Sequence, residues 1–215
     1  MSTRILLFGG HGKVALLLEP LLVERGDTVT AVIRNDAHAD DVASTGATPV
    51  VFDVEAFDED QISNLIAGND VVIWSAGAGG GHPERTYAVD RDAAIRSIDA
   101  AVDAGVRRYV MVSYFGAGRE HGIPADNAFF AYAESKAAAD EHLRASGLDW
   151  TIVAPSTLTL DAPTGRIDLE ASESGSVSRA DVAAVIASVI ADASTYRRTI
   201  SFNSGEVAIG DLFAG

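Results

Sequence analysis

The chain has 215 residues, 47% of them hydrophobic and 22% charged, which is ordinary for one soluble α/β domain. It has no cysteine, which excludes a disulfide framework, a thiolate zinc site and a cysteine nucleophile. The net charge of −15 repels phosphate backbones, so we expect no nucleic-acid partner. We see no targeting segment and no stretch near the roughly 20 apolar residues of a membrane helix, so we expect a cytoplasmic protein without a membrane partner.

Short apolar runs alternate with segments of helical period, a pattern typical of βαβ units around a parallel sheet. Predicted strands are Arg4–Phe8, Thr28–Ile33, Thr48–Phe52, Asp70–Trp74, Arg107–Val112, Trp150–Val153 and Thr199–Phe202. Predicted helices are Lys13–Glu24, Ala37–Ser44, Glu59–Ile66, Glu84–Ala104, Ala128–Ala145 and Arg179–Asp192. The sequence therefore predicts an α/β fold, a single Rossmann-type doubly wound parallel sheet over residues 1–215 with helices on both faces.

An irregular segment rich in Ser, Thr, Gly and Asp, residues 155–178, follows the sixth predicted strand. Ligands of open α/β sheets bind beyond the carboxyl ends of the strands, so we interpret this segment as a substrate lid. The triple glycine 79–81 predicts a mobile wall of the substrate site. An apolar, aromatic lining is expected from Tyr114, Phe115, Phe129 and Phe130.

The first strand runs into Gly9-Gly10-His11-Gly12-Lys13-Val14-Ala15 and then into a helix. In such a loop, Gly9 allows a tight turn, Gly12 lets the backbone approach a pyrophosphate, and Ala15 allows close packing of helix on strand. His11 and Lys13 are expected near the pyrophosphate. The loop therefore predicts a dinucleotide site, and its predicted contacts are Gly9, Gly10, His11, Gly12, Lys13 and Val14.

The residue after the second strand distinguishes between the two nicotinamide dinucleotides. Arg34 stands there, and an arginine accommodates the 2′-phosphate of NADP. Asp36, two positions on, keeps NAD open as the less favoured cofactor. Asp53 after the third strand could accept from the adenine amino group. Further cofactor contacts are expected at the third and fourth strand ends, at Asp53, Val54, Ser75, Ala76 and Gly77.

Lys13 and Lys136 are the only lysines in a chain that otherwise uses arginine. Tyr132 lies four residues before Lys136 on a predicted helix, a spacing that puts both on one face. A nearby ammonium is expected to lower the pKa of the tyrosine, which can then donate a proton to a substrate oxygen as hydride reaches the carbon. Lys136 could also hold the nicotinamide ribose. Ser113, at the end of the fifth strand, could donate to the same substrate oxygen.

Taken together, these motifs resemble those of the atypical short-chain dehydrogenase/reductases, in particular the small NAD(P)H-binding subgroup. The resemblance spans nearly the whole chain and includes Val89-Asp90, Pro155 and the stretch 178–183. It implies a catalytic trio, here Ser113, Tyr132 and Lys136, and places Pro155 among the cofactor contacts. It also implies a proton-relay asparagine, and Asp90 stands at the equivalent position. Relatives of this kind include flavin, biliverdin and quinone reductases and sugar-nucleotide epimerases.

Other chemistries have little support in the sequence. The five histidines show no metal-ligand spacing, and there is no G-x-S-x-G elbow, so no metal is expected. The sequence predicts an NADP-dependent oxidoreductase that reduces a small-molecule carbonyl, quinone or flavin-like acceptor. A non-catalytic NAD(P)H-sensing protein and a sugar-nucleotide epimerase-like enzyme remain alternatives. Monomer and homodimer are both compatible with the sequence.

Overall fold

A nine-stranded sheet forms the centre of the protein, whose computed structural model describes residues 2–56, 58–79 and 82–212. The strands are β1 (Arg4–Phe8), β2 (Thr28–Ile33), β3 (Thr48–Val51), β4 (Val71–Trp74), β5 (Arg108–Val112), β6 (Asp149–Pro155), β7 (Thr157–Thr159), β8 (Arg166–Asp168), β9 (Ser176–Ser178), β10 (Arg198–Ser204) and β11 (Val207–Ala208). Seven strands run parallel in the order β3-β2-β1-β4-β5-β6-β10. β8 pairs antiparallel with β10, and β11 pairs antiparallel with β8, which completes the nine strands. β7 and β9 form a separate two-stranded parallel sheet.

The connections between the strands are mostly helical. The helices are α1 (Ala15–Glu24), α2 (Ala39–Ser44), α3 (Glu59–Ile66), α4 (Pro83–Thr86), α5 (Ala94–Asp103), α6 (Phe130–Ala145), α7 (Arg179–Ala191) and α8 (Ile209–Leu212). A π-helical segment, Tyr87–Ala93, joins α4 to α5. No helix within the described ranges is long and apolar enough to cross a membrane.

Helices cover both faces of the sheet because the central strands are apolar on both sides. All of Ile5–Phe8 in β1 are fully buried. Ile5 and Leu7 pack with α1 and α7 on one face, whereas Leu6 and Phe8 pack with α3, α5 and α6 on the other. The strand order reverses between β1 and β4, and such a switch point is where dinucleotides bind in doubly wound sheets. The predicted Rossmann-type fold is confirmed.

The expected lid contains more regular structure than its composition predicted. Residues 156–178 include the three-residue strands β7, β8 and β9. Asp181 of α7 ties the segment down, because its carboxylate accepts from the amides of Thr164 (3.0 Å) and Gly165 (2.8 Å) and from the hydroxyl of Ser178 (2.9 Å). These contacts attach the lid to the first turn of α7, so the segment is anchored and not a free loop.

Glu19 is a buried carboxyl on α1, the helix that follows the glycine loop. One of its oxygens accepts from the Thr45 hydroxyl over 2.9 Å, and the other has no partner among the described residues. Burial raises the pKa of Glu19 to about 7. The folded protein therefore holds a proton that the unfolded chain releases at lower pH. This contribution to stability is present below the unfolded pKa and is lost as the pH rises through 7.

We expect the Glu19→Gln variant to lose much of this pH dependence, because an amide at this position does not ionise. Between pH 5 and 8 the wild type should lose about 2 kcal/mol of unfolding free energy through this group. Urea unfolding at both pH values measures the difference. Glu24→Gln, at the exposed end of the same helix, serves as the control. An equally steep pH dependence in Glu19→Gln would contradict the assignment.

Candidate functional site

The glycine loop joins β1 to α1 at the carboxyl edge of the sheet. Gly9 has φ of +83°, and a Cβ there would lie 2.7 Å from the Ala76 backbone, so only glycine fits. The amide of Gly12 donates to the Gly9 carbonyl over 2.8 Å and closes the turn. Gly10 packs against Ala31 of β2, where a Cβ would meet the alanine methyl at 2.7 Å. Gly10 therefore allows the loop to pack closely against β2.

Two adjoining clefts open in front of this loop, with volumes of about 470 Å³ and 340 Å³. Gly12, Gly79 and residues 75–77 line both of them, so the two clefts are continuous. Of the residues predicted from the sequence, the larger cleft is lined by Gly9, His11, Gly12, Arg34, Val54, Ser75, Ala76 and Gly77. The smaller cleft is lined by Gly12, Lys13, Val14, Ser75, Ala76, Gly77, Ser113, Tyr132 and Lys136.

The far end of the larger cleft carries several basic side chains. Glu55 bridges two of them, Arg34 at 3.3 Å and Arg85 at 3.0 Å. His11 stacks on His38 with ring centroids 3.7 Å apart. A single carboxylate is thus shared between two guanidinium groups, while Asp41 lies 2.9 Å from the His11 ring. The two guanidinium groups are the side chains here that could bind an anionic ligand.

Three predicted cofactor contacts do not line either cleft: Gly10, which packs against Ala31, and the two residues Asp53 and Pro155. Asp53 follows β3 as expected, but its carboxylate accepts from the Glu55 amide over 3.0 Å and stabilises a turn. Pro155 ends β6, and its carbonyl accepts from the Phe115 amide over 2.8 Å. Of the expected glycine wall, Gly80 and Gly81 lie outside the described residues.

The predicted catalytic trio comes together in the smaller cleft. Ser113 directly follows β5, while Tyr132 and Lys136 lie one turn apart on α6. The Lys136 ammonium donates to the carbonyl of Val112 over 2.7 Å. The Ser113 hydroxyl lies 2.6 Å from a carboxyl oxygen of Asp140. Among the described residues the Tyr132 hydroxyl has no hydrogen-bond partner. Tyr132 therefore faces the cleft with its proton uncommitted.

The charges around Tyr132 differ from the sequence expectation that Lys136 lowers its pKa. Burial raises the pKa of Tyr132, and the carboxylates of Asp90 and Asp140 raise it further. Lys136 is itself buried, which lowers its pKa, while the same two carboxylates favour its charged form. The expectation is wrong because burial, and not the neighbouring ammonium, has the largest effect on the pKa of Tyr132, so the phenol keeps its proton at neutral pH.

Asp90, which the resemblance equates with a relay asparagine, lies in the π-helical segment. Its carboxylate accepts from the Ala78 amide over 2.9 Å. A Cβ on Gly77 would lie 2.9 Å from the other carboxylate oxygen, so a side chain at this position would displace the Asp90 carboxylate. Burial raises the pKa of Asp90, whereas the Ala78 amide and Lys136 lower it. Asp90 thus holds the loop after β4 against the helix that carries it.

Aromatic rings surround Tyr132 at the mouth of the cleft. The Phe129 ring lies 5.1 Å from that of Tyr132, and the Tyr114 ring lies 5.6 Å away. Phe129 is 42% exposed. Phe130 instead packs on His121. Tyr114 and Phe129 therefore pack beside Tyr132, although neither of them lines the two clefts.

Three further residues belong to this site and were not singled out from the sequence. Asp140 lies one helical turn beyond Lys136, so the four-residue spacing Tyr132, Lys136, Asp140 was a signal for it. Leu158 and Arg179 line the same cleft from the lid side. Arg179 falls in the stretch 178–183 that is part of the resemblance but was given no role, and no local pattern marks Leu158. Across the part of the chain that the structure describes, no group of three or more His, Cys, Asp or Glu side chains could hold a metal ion.

The family model for NAD(P)H-binding proteins matches residues 9–193, which include the glycine loop, both clefts and the lid. The chain belongs to this NAD(P)H-binding family. The resemblance inferred from the motifs is thereby confirmed.

Proteins similar to this chain include ones described as epimerases and one described as a reductase. A Bacillus subtilis relative, described as the uncharacterized sugar epimerase YhfK, is 31% identical over 97% of both chains. A structure from Bacillus halodurans, provisionally described as an NAD-dependent epimerase/dehydratase, has a TM-score of 0.90 at 31% identity over 99% of both chains. ChuY of Escherichia coli O157:H7, described as an anaerobillin reductase, has a TM-score of 0.77 at 27% identity over 95% of this chain and 98% of that one.

Proposed function

We propose that the protein is an NADP-dependent oxidoreductase of the short-chain dehydrogenase/reductase type, which reduces a carbonyl, quinone or flavin-like acceptor. The observation that carries this proposal is that Ser113, Tyr132 and Lys136 line one cleft together with the glycine loop. Family membership supports nicotinamide dinucleotide binding, and the reductase among the structural neighbours supports the reaction class.

The clefts fit a dinucleotide. A Cβ on Gly12 would lie only 3.0 Å from the Gly9 carbonyl, so the loop leaves its backbone bare where a pyrophosphate would rest. Lys13 would neutralise the pyrophosphate, the larger cleft would hold the adenosine half, and Lys136 would hold the nicotinamide ribose. Bound NADPH would supply the hydride.

In this proposal Tyr132 is the proton donor to the acceptor oxygen. Its raised pKa keeps the phenol protonated at neutral pH, as a donor for reduction must be. Phe129 and Tyr114 hold the ring in place from the side. Ser113 donates a second hydrogen bond to the same oxygen, and Lys136 favours the developing negative charge there.

The preference for NADP rests on Arg34, which lies beside Arg85 at the end of the larger cleft. We expect Arg34→Gln to weaken NADPH binding by about 10-fold to 100-fold, the scale of a lost charge-assisted hydrogen bond. NADH binding should be nearly unchanged. Fluorescence titration with both dinucleotides measures this, with Arg107→Gln at the opposite edge of the sheet as the control. Equal losses for NADPH and NADH, or tight NADH binding by the wild type, would refute the role.

The reaction itself is tested by following NADPH oxidation at its absorbance band against a panel of quinones, flavins and aldehydes. The proposal predicts turnover with at least one class. NADPH binding with no turnover on any acceptor would instead favour a protein that senses the redox state of the dinucleotide and regulates a partner.

A sugar-nucleotide epimerase is the second candidate, because the Bacillus subtilis relative and the Bacillus halodurans structure are described as epimerases. An epimerase retains its dinucleotide and regenerates it in each cycle. Conversion of a nucleotide sugar to its epimer, with no net consumption of cofactor, would distinguish this reaction from reduction.

A further inference from the structure

Asp140 is a buried carboxyl that the proposed reaction leaves unused, although it lies directly behind Ser113. Its Oδ2 atom is 2.6 Å from the Ser113 hydroxyl, a short and well-formed hydrogen bond. The side chain is fully buried on α6. Any role of Ser113 in the cleft therefore depends on whether Ser113 or Asp140 is the donor in this hydrogen bond.

A serine hydroxyl carries a single hydrogen. An ionised Asp140 has no hydrogen to give, so Ser113 must donate to it and has none left for an acceptor oxygen. A protonated Asp140 can donate its own O–H to the Ser113 oxygen. The Ser113 hydrogen is then free to point into the cleft, so the protonation state of Asp140 decides which way Ser113 donates.

The surroundings of Asp140 favour the protonated form. Its second oxygen is buried without a hydrogen-bond partner among the described residues, a costly position for a carboxylate. Lys136 is the one buried ammonium beside two carboxyls, so a single ionised carboxylate balances it. Asp90 is the better candidate for that charge, because it accepts from a backbone amide, whereas Asp140 accepts only from a hydroxyl.

Burial is also the main influence on the acidity of Asp140. It raises the pKa of Asp140, while Lys136, the Ser113 hydrogen bond and Arg144 act in the opposite direction. The titratable and charged groups that face Asp140 or its neighbours are Lys136, Arg144, Asp90, Tyr132 and Tyr114. None of them supplies a second donor to the carboxyl.

We infer that Asp140 is a positioning residue, which in its protonated form donates to Ser113 and so directs the Ser113 hydrogen toward the acceptor oxygen. The effect on catalysis rests on the proposed function. The hydrogen-bond arrangement does not, because it is a property of the protein before any substrate binds.

The arrangement is tested without activity by carbon-13 NMR of protein labelled at the aspartate carboxyl carbons. The resonance missing from Asp140→Asn identifies Asp140, and its midpoint should lie well above the ordinary aspartate pKa of about 3.9. Ser113→Ala should raise the midpoint further, since the hydroxyl can no longer stabilise the carboxylate, and this shift also identifies the signal if Asp140→Asn does not fold. A midpoint at or below the ordinary value would overturn the inference.

The catalytic consequence is tested by the pH profile of turnover with an acceptor found in the NADPH oxidation panel. Wild-type kcat should fall as the pH rises through the Asp140 midpoint. This descending limb of the pH profile should be absent from Asp140→Asn, whose amide does not titrate. Glu141→Gln, the adjacent residue paired with Arg119 on the surface, should keep the limb. A limb that persists in Asp140→Asn overturns the inference. If no acceptor is turned over, the proposed function fails and the NMR result alone decides the hydrogen-bond arrangement.

Discussion

Replacing Tyr132 by phenylalanine is expected to lower kcat by about 10³-fold, which corresponds to about 4 kcal/mol of transition-state stabilisation. The loss follows from removal of the phenol proton that the acceptor oxygen takes up as hydride arrives. NADPH affinity should stay within about twofold, because the ring keeps its contacts with Phe129 and Tyr114 and no hydrogen bond to a described residue is lost. Stopped-flow NADPH oxidation and fluorescence titration measure the two quantities separately.

Tyr114→Phe provides a matched control for that variant. It removes another buried tyrosine hydroxyl without a hydrogen-bond partner among the described residues, 5.6 Å from Tyr132 between ring centroids. Turnover in Tyr114→Phe should remain within about threefold of the wild type, since Tyr114 donates no proton in the proposed reaction. Retained turnover in Tyr132→Phe, or equal losses in the two variants, would remove Tyr132 from its proposed role.

Replacing Arg108 by methionine is expected to cause the largest loss of stability, about 3–5 kcal/mol. The guanidinium is buried at the start of β5, where it donates to the carbonyls of Ile190, Val189 and Asp149. Two of these carbonyls end α7, where a cation is also favoured by the helix dipole. Burial lowers the pKa of Arg108 to about 10. The hydrogen bonds to these carbonyls offset the desolvation cost of the buried charge.

The adjacent Arg107 is the control for this variant. It forms an exposed pair with Asp149 at 3.1 Å, and pairs of this kind contribute roughly 0–1 kcal/mol. Urea unfolding of Arg108→Met and Arg107→Gln compares the two. A loss in Arg108→Met no larger than that in Arg107→Gln would contradict the structural role of Arg108. NADPH affinity of the folded protein should be unchanged in both, because these residues lie at the edge of the sheet opposite the clefts.

The sequence was sufficient to predict what local patterns determine. Apolar runs located the seven parallel strands, and the helical periods located most of the helices, with ends within two residues of those observed. The helix predicted over Glu84–Ala104 is instead divided into α4, the π-helical segment and α5. The glycine loop was predictable because Gly9 and Gly12 meet steric demands that belong to the loop itself. The strands β7, β8 and β9 were not predictable, since three residues are too few for an alternating pattern and Asp181, distant in sequence, anchors the segment.

The electrostatics of the candidate site required the tertiary structure. The spacing of Tyr132 and Lys136 predicted their shared helix face, but not the burial of the lysine. Asp90 reaches the lysine from a different helical element, and Asp140 reaches Ser113 across to the end of β5. Burial of Tyr132, together with the two carboxylates, reverses the expected effect on the tyrosine pKa, and its dependence on packing explains why the sequence alone misjudged it.

The central claim is tested most directly by deuterium transfer from NADPH labelled at C4 of the nicotinamide on either face. Wild-type protein is incubated with the labelled cofactor and the acceptor panel, and the products are analysed by mass spectrometry. The account predicts one deuterium at the reduced position of a product, from one labelled face only, with transfer strongly slowed in Tyr132→Phe. NADPH that binds tightly but delivers deuterium to no acceptor would contradict it.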